Sequence, residues 1–182
     1  MNPGDRPDDT ELVARARRGD EDAMAELADR HYESVYRVAL GIVRDADLAA
    51  DVTQDAFIKA LRGLGGFRGD STFRTWLLTI ASNQGRGALR SRGRRHEAPL
   101  DAVAPVAAPD MAPDERAGLL DAAAHARACL ARLPEKQRMA VQLRLDEGLS
   151  FREIGRIIGS SEGASRVNYH HGIRRLREML GA

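Results

Sequence analysis

Gly148-Leu149-Ser150-Phe151-Arg152-Glu153-Ile154-Gly155-Arg156-Ile157-Ile158-Gly159-Ser160-Ser161 is the stretch on which the fold turns. Ser150 followed three residues later by Glu153 is a capping box, in which each side chain satisfies the other residue's free backbone N–H, so a helix opens at Phe151. Ile154, Ile157 and Ile158 give that helix one apolar side. Gly159-Ser160-Ser161 makes a tight turn, and the residues from about Glu162 to Leu180 read as a longer, arginine-rich helix. A short capped helix, a glycine-led turn and a long basic helix form a helix-turn-helix pattern.

In the last helix Tyr169, Ile173, Leu176 and Leu180 recur at helical spacing and are expected to face a core. Arg166, His170, Arg174 and Arg177 then point outward, with Val167, Asn168 and His171 toward the N-terminal half. That half of such a helix enters the DNA major groove while basic groups hold phosphates. The competing reading is a solvated basic helix in an ordinary bundle, which would have no need of the capping box and turn just upstream. Pro134 is expected in the first turn of a helix through Met139, Ala140, Leu143 and Leu145 that stops at Gly148. Arg116 to Leu133 reads as an Ala/Leu-rich helix.

Before these elements the pattern breaks. Pro99, Pro105, Pro109 and Pro113 stand among Ala and Asp, and no useful helix survives that spacing. The stretch reads as an extended acidic linker, longer than an ordinary loop. The N-terminal part is helical again. A first helix follows Asp9-Thr10 with Leu12, Val13 and Ala16 on one side, and Gly19 ends it. Asp20 caps a second helix with Ala23, Leu27, Tyr32, Val35, Tyr36, Ala39, Leu40 and Val43 inward. Asp45 and Asp47 open a third, with Leu48, Val52, Ala56, Phe57, Ala60, Leu61 and Leu64 inward. Glycines around Phe67 break the pattern, and Ser71 or Thr72 restarts a helix through Phe73, Trp76, Leu77, Ile80 and Ala81. The expectation is an all-α protein of two small helical domains, an N-terminal bundle and a C-terminal helix-turn-helix, joined by a flexible linker, with boundaries at 1–96, 97–115 and 116–182.

The net charge of +1 hides a division along the chain. Arg86, Arg90, Arg92, Arg94 and Arg95 cluster without a carboxylate. Glu97, Asp101, Asp110, Asp114 and Glu115 follow without a cation, and from Arg116 onward 12 basic side chains face 7 acidic ones. Cys129 is the single cysteine, which excludes an internal disulfide and a thiolate-rich zinc site; among Ala and Leu it reads as a core residue. No apolar run is long enough to span a bilayer, and the polar, acidic start is unlike a signal peptide, so the cytoplasm is the expected location.

Two further motifs carry chemistry. Phe67-Arg68-Gly69-Asp70-Ser71-Thr72-Phe73-Arg74-Thr75-Trp76-Leu77, with Ile80-Ala81-Ser82-Asn83 and then Arg86 and Arg90, sets aromatic rings beside cations. Single-stranded DNA binding requires that pairing, a ring to stack an unpaired base and cations to follow the backbone. Trp76 shares a helical spacing with Phe73 and Ile80 and reads as core. Phe67, in a glycine-rich loop without a helical partner, is the better DNA-facing ring. Asp51 and Asp55 lie four apart beside Gln54, one polar face that either docks a basic partner or is merely solvated.

On these residues the chain resembles the extracytoplasmic-function sigma factors of bacterial RNA polymerase. Gly19-Asp20, Asp51 to Leu61 and Phe67 to Asn83 are similar to the family's second region; Leu133-Pro134, Gly148 to Ile154 and Arg174-Arg175-Leu176 are similar to its fourth. The resemblance implies that Asp51, Gln54 and Asp55 bind the clamp helices of the polymerase's largest subunit. It implies that Lys59, Gly63, Phe67 and Asn83 form the minus-ten pocket that captures an unpaired base, and that Arg144, Arg166, His170 and His171 meet the minus-thirty-five duplex, with Val167 and Arg174 on the same helix. Ser165-Arg166-Val167-Asn168-Tyr169 departs from the family's usual Val-Lys/Arg-Ser-Arg-Leu run, and the bases it reads stay open. The resemblance further implies a connector running through the polymerase, where Asp101, Asp110 and Asp114 imitate nucleic acid, and an anti-sigma factor as inhibitor.

The expected partners are thus core RNA polymerase, promoter DNA and an anti-sigma factor, with no small-molecule substrate, no cofactor, no metal and no direct membrane insertion. A DNA-binding regulator of another kind would need a sensory pocket or dimerisation helix that the first half does not offer. A decoy that only sequesters an anti-sigma factor would have lost Phe67, Asn83 and the arginines. An enzyme is least supported: no phosphate-binding glycine loop follows a strand, and no HExxH or nucleophile motif occurs.

Overall fold

A computed structural model describes residues 7–95 and 124–181. The linker expected at 97–115, the beginning of the helix expected from Arg116, and the side chains of Arg94 and Arg95 lie outside the described residues. Among the described residues every regular element is helical, and the chain divides into two compact units, Met1–Pro99 and Leu100–Ala182.

The first unit holds four α-helices: α1 (Asp9–Ala16), α2 (Glu21–Val43), α3 (Ala46–Gly63) and α4 (Phe73–Arg95). Each of the first three starts at an aspartate whose carboxylate accepts a backbone N–H three residues on: Asp8 from Glu11, Asp20 from Ala23, Asp45 from Leu48. That is the cap expected where donors are otherwise unmet. Gly19, at φ 87°, makes the turn between α1 and α2, and Asp20 also receives Arg15 Nε at 2.8 Å, which holds its carboxyl below the usual range. Helices α2, α3 and α4 pack on one another, and α1 lies on α2. Leu12, Leu27, Val35, Ala49, Ala56, Leu77, Leu78 and Ala81 form the dry interior. Asp9 ties α1 to α2, with Oδ2 2.8 Å from His31 Nε2 and Oδ1 accepting from Arg30 at 2.9 Å.

Two residues expected inside are not. Tyr32 is 49 % and Leu61 38 % exposed. Ala49, Val52, Ala56 and Ala60 fill the α3 side of the interior, leaving Leu61 of the same helix at its margin, and Tyr32 of α2 stacks on Phe57 there.

In the second unit a helix is described from 124 to 131 (α5), followed by α6 (Glu135–Leu145), α7 (Phe151–Ile158) and α8 (Glu162–Leu180). The capping box is present: Ser150 N–H donates to Glu153 Oε2 at 2.9 Å, and Glu153 N–H donates to Ser150 Oγ. Gly159 ends α7 in the left-handed conformation, φ 65°. Pro134 stands one residue before α6 as its cap rather than in its first turn. Met139, Ala140, Val141, Leu143, Ile154, Ile157 and Ile158 make the core, joined by Cys129.

The α8 apolar row is only a flank of that core. Tyr169, Ile173 and Leu176 are half-buried and Leu180 is 43 % exposed. The buried residues of α8 are Ser165 and Gly172. A Cβ at Gly172 would stand 2.7 Å from Val141 Cγ2, so α6 and α8 touch backbone-to-side-chain there and the long side chains are displaced to either side.

Candidate nucleic-acid interface

A short 3-10 turn, Leu64–Gly66, follows α3 and presents Phe67, whose N–H donates back to Leu64 O at 3.2 Å. Phe67 does have a helical partner, contrary to the sequence expectation. Its ring lies 5.0 Å from that of Trp76 and 6.1 Å, edge-on, from that of Phe73, both on α4. Trp76 is half-buried, and a Cβ on Gly63 would be in ordinary contact with it at 3.7 Å. Gly66, Phe67, Arg68, Asp70, Ser71 and Trp76 line an open cleft of about 300 Å³ with one aromatic wall.

Asn83 is exposed, two helical turns beyond Trp76 on α4 and so on the same side, about 10 Å along the axis. Lys59 reaches across from α3, its Nζ donating at 3.2 Å to Oε1 of Gln84, the residue next to Asn83 in the chain. Lys59, Gly63, Phe67 and Asn83 are therefore brought to one side of the α3–α4 pair. Arg90 is exposed beyond them and Arg86 half-buried. Arg92 is held elsewhere, donating to Asp45 Oδ2 at 2.8 Å, and that bond is the chief cause of the lowered Asp45 pKa.

Sequence reasoning missed Arg17. From the end of α1 its Nε donates to Leu64 O at 3.1 Å, its Nη2 donates to Phe67 O, and its guanidinium carbon lies 6.0 Å from the Phe67 centroid. The contact spans about fifty residues of sequence, so no local pattern signals it.

On α3, Asp51, Gln54 and Asp55 are all exposed. Ile58, 48 % exposed, and Leu61 continue the same face at helical spacing, and Tyr32 stands near them, its ring stacked at 6.4 Å on Phe57. A face combining carboxylates with exposed Ile and Leu is less consistent with simple solvation than the acidic residues alone suggested.

In the second unit Arg166, Val167, His170, His171 and Arg174 are exposed on α8, Val167 at 53 %. Asn168 turns along its own helix, Nδ2 donating to Ala164 O at 2.8 Å. The organising residue here is one the sequence reading used only as a helix start. Phe151 carries two guanidinium groups over its ring, Arg144 from the end of α6 at 5.2 Å and Arg166 from α8 at 5.3 Å. Arg144 Nη1 is further fixed on Leu149 O at 2.8 Å, and the His170 ring lies 6.4 Å from Phe151. Two cations sharing one ring repel each other, and an anion such as a phosphate next to them relieves the repulsion.

Residues 27–95 match the family model for sigma-70 region 2, and residues 126–176 that for sigma-70 region 4. RNA polymerase sigma factor CarQ of Myxococcus xanthus is 39 % identical over 93 % of this chain and 95 % of its own length. The chain belongs to the extracytoplasmic-function sigma factors. The ECF sigma-E factor of Escherichia coli K12 is 35 % identical over 94 % of this chain and 92 % of its own. The fold is shared with sigma factor RpoE of Bartonella quintana, solved with the anti-sigma factor NepR, at a TM-score of 0.74 over 87 % of this chain and 96 % of that one, with 23 % identity. As a sigma factor the chain works with core RNA polymerase and promoter DNA in transcription initiation. The two candidate surfaces fall one in each matched region: the Phe67 cleft in region 2 and the Phe151 platform in region 4.

Proposed function

We propose that this sigma factor melts the minus-ten element with the Phe67 cleft and holds the minus-thirty-five duplex with the Phe151 platform, docking to polymerase through the exposed α3 face. The observation that carries the first assignment is the juxtaposition of Lys59, Gly63, Phe67 and Asn83 around α4. An unpaired base entering the cleft meets an aromatic wall, with Asn83 to donate or accept hydrogen bonds and Lys59, Arg86 and Arg90 to follow the strand's phosphates. In region 4, Arg144 and Arg166 take phosphate, and Val167, His170, His171 and Arg174 line the groove-facing side. The α3 face of Asp51, Gln54, Asp55 and Ile58 fits a partner helix that is basic with apolar spots, as the clamp helices would be.

The division of labour proposed for the chain is 1–96, 97–115 and 116–182. The carboxylates Asp101, Asp110 and Asp114 of the connecting stretch offset part of the cationic surface. Each DNA contact is weak alone, and both become strong once polymerase holds the two units at the promoter spacing, through effective concentration. The protein's part is recognition and strand capture, not bond chemistry, and it acts where core polymerase is, in the cytoplasm. No helix among the described residues is long and apolar enough to cross a membrane. An anti-sigma protein that covers the α3 face would keep the factor inactive; that such a partner exists is supported by the solved relative's complex with NepR.

A split of phenotypes tests the assignment. Phe67→Ala and Asn83→Ala are expected to impair open-complex formation on a duplex promoter while core binding, measured by fluorescence anisotropy, stays normal. Asp51→Ala with Ile58→Asp is expected to do the reverse, weakening core binding by roughly tenfold or more, as for a central interface residue. Equal loss of both functions in both sets contradicts it.

A further inference from the structure

Helix α1 lies outside residues 27–95 matched to region 2, yet it ends in a side chain that grips the melting loop. We infer that Arg17 is a positioning residue for minus-ten capture: it fixes the backbone of the 64–67 turn and so sets where the Phe67 ring stands. The inference rests on the proposed role of Phe67 and adds to it the element that holds the ring in place.

Gly65 and Gly66 have nothing within 4 Å of where a Cβ would be, and with Gly63 they leave the segment from α3 to Phe67 conformationally loose. The Leu64 carbonyl accepts one internal bond, from Phe67 N–H. Arg17 adds two more restraints from outside, Nε to Leu64 O at 3.1 Å and Nη2 to Phe67 O. A guanidinium is a rigid fork, so bonding both carbonyls fixes their separation and orientation together. The same group lies 6.0 Å from the Phe67 ring centroid, and the Trp76 ring lies 5.0 Å from it, so Arg17 and Trp76 are both neighbours of the ring.

The lever is itself anchored. Leu12, Val13 and Ala16 are buried against the bundle, and Asp9 binds both His31 and Arg30 on α2. Arg17 thus transmits the position of a packed helix to a glycine-rich loop. It stands at the edge of an open cleft of about 600 Å³, lined also by Asp8, Val13, Phe67, Arg68 and Thr72, where the loop would otherwise be free to settle. Holding a capture ring in place before the base arrives lowers the ordering cost at the moment of melting.

Trp76 is the chain's single tryptophan and touches Phe67, so its emission reports the loop. The test uses full-length Arg17→Ala, Arg17→Lys and Phe67→Ala with core polymerase. Arg17→Ala is expected to shift Trp76 emission in the free protein and to slow open-complex formation on duplex promoter by roughly tenfold, the scale of one or two hydrogen bonds. Helix content by circular dichroism and core affinity are expected to stay as in the unaltered chain. Arg17→Lys keeps the charge but loses the rigid planar fork that fixes two carbonyls relative to each other, and is expected to behave like Arg17→Ala. If Phe67→Ala is impaired while Arg17→Ala melts promoter normally, or if Arg17→Lys restores full rate, the positioning role is overturned and the reading of Phe67 stands. If Phe67→Ala is itself without effect, both fall.

Discussion

At the residue scale Phe151 shows how one side chain can both open a helix and gather cations from two others. It is the first residue of α7, placed by the Ser150 cap, and its ring orders Arg144 and Arg166, which come from two other helices. Each cation over the ring is worth roughly 0.5–1 kcal/mol at an exposed site. Phe151→Leu, which keeps an apolar residue but loses the π-face, is therefore expected to weaken minus-thirty-five binding by holoenzyme about tenfold, and Phe151→Tyr to restore it. The salt dependence separates this from loss of a phosphate contact. Arg144→Ala is expected to lower the salt slope by about one, whereas Phe151→Leu leaves the number of phosphates neutralised, and so the slope, nearly unchanged. Filter binding across a salt series checks both.

At the element scale the helix starts were the most legible features, because a cap is a local device written in two or three adjacent residues. Asp20, Asp45 and the Ser150–Glu153 box stand where the sequence puts them. The inward face of α8 was misread because periodicity weighs large apolar side chains, while the closest approach of α6 and α8 is made by Gly172, which has none. Leu61 was placed inside for the same reason, although Ala49, Val52, Ala56 and Ala60 suffice to fill the inner side of α3. Asp45 gives a prediction at this scale, since it caps α3 and holds Arg92 of α4. Its folded pKa is lowered, first by the bond from Arg92 and then by Leu48 N–H. A carboxylate of this kind adds stability that is fully present above its unfolded pKa and is lost as pH falls through the folded one. Thermal melts are thus expected to show the unaltered chain losing midpoint temperature on acidification more steeply than Asp45→Asn, which keeps the cap but not the charge. Asp45→Ala, which loses both, is expected to cost about 1 kcal/mol at neutral pH from the cap.

For the whole molecule, the all-helical class and the division into two units could be read from the alternation of helical spacing, prolines and charge. The site was legible in part. Lys59, Gly63, Phe67 and Asn83 are separated in sequence but converge because α3 and α4 run side by side. Arg17 and the double use of Phe151 were not legible, since both are contacts between elements distant in sequence that only the packed unit creates. The proposed picture is of two modest DNA surfaces, each built on its own small core, neither strong enough to choose a promoter unaided. A set of start sites mapped by sequencing after transcription of a randomised promoter library, with core polymerase and this chain, tests that picture most directly. Two short sequence motifs at a fixed separation are expected upstream of every start, with activity lost when either is scrambled or their spacing is altered by half a helical turn. Starts that depend on a single motif, or that tolerate any spacing, would contradict it.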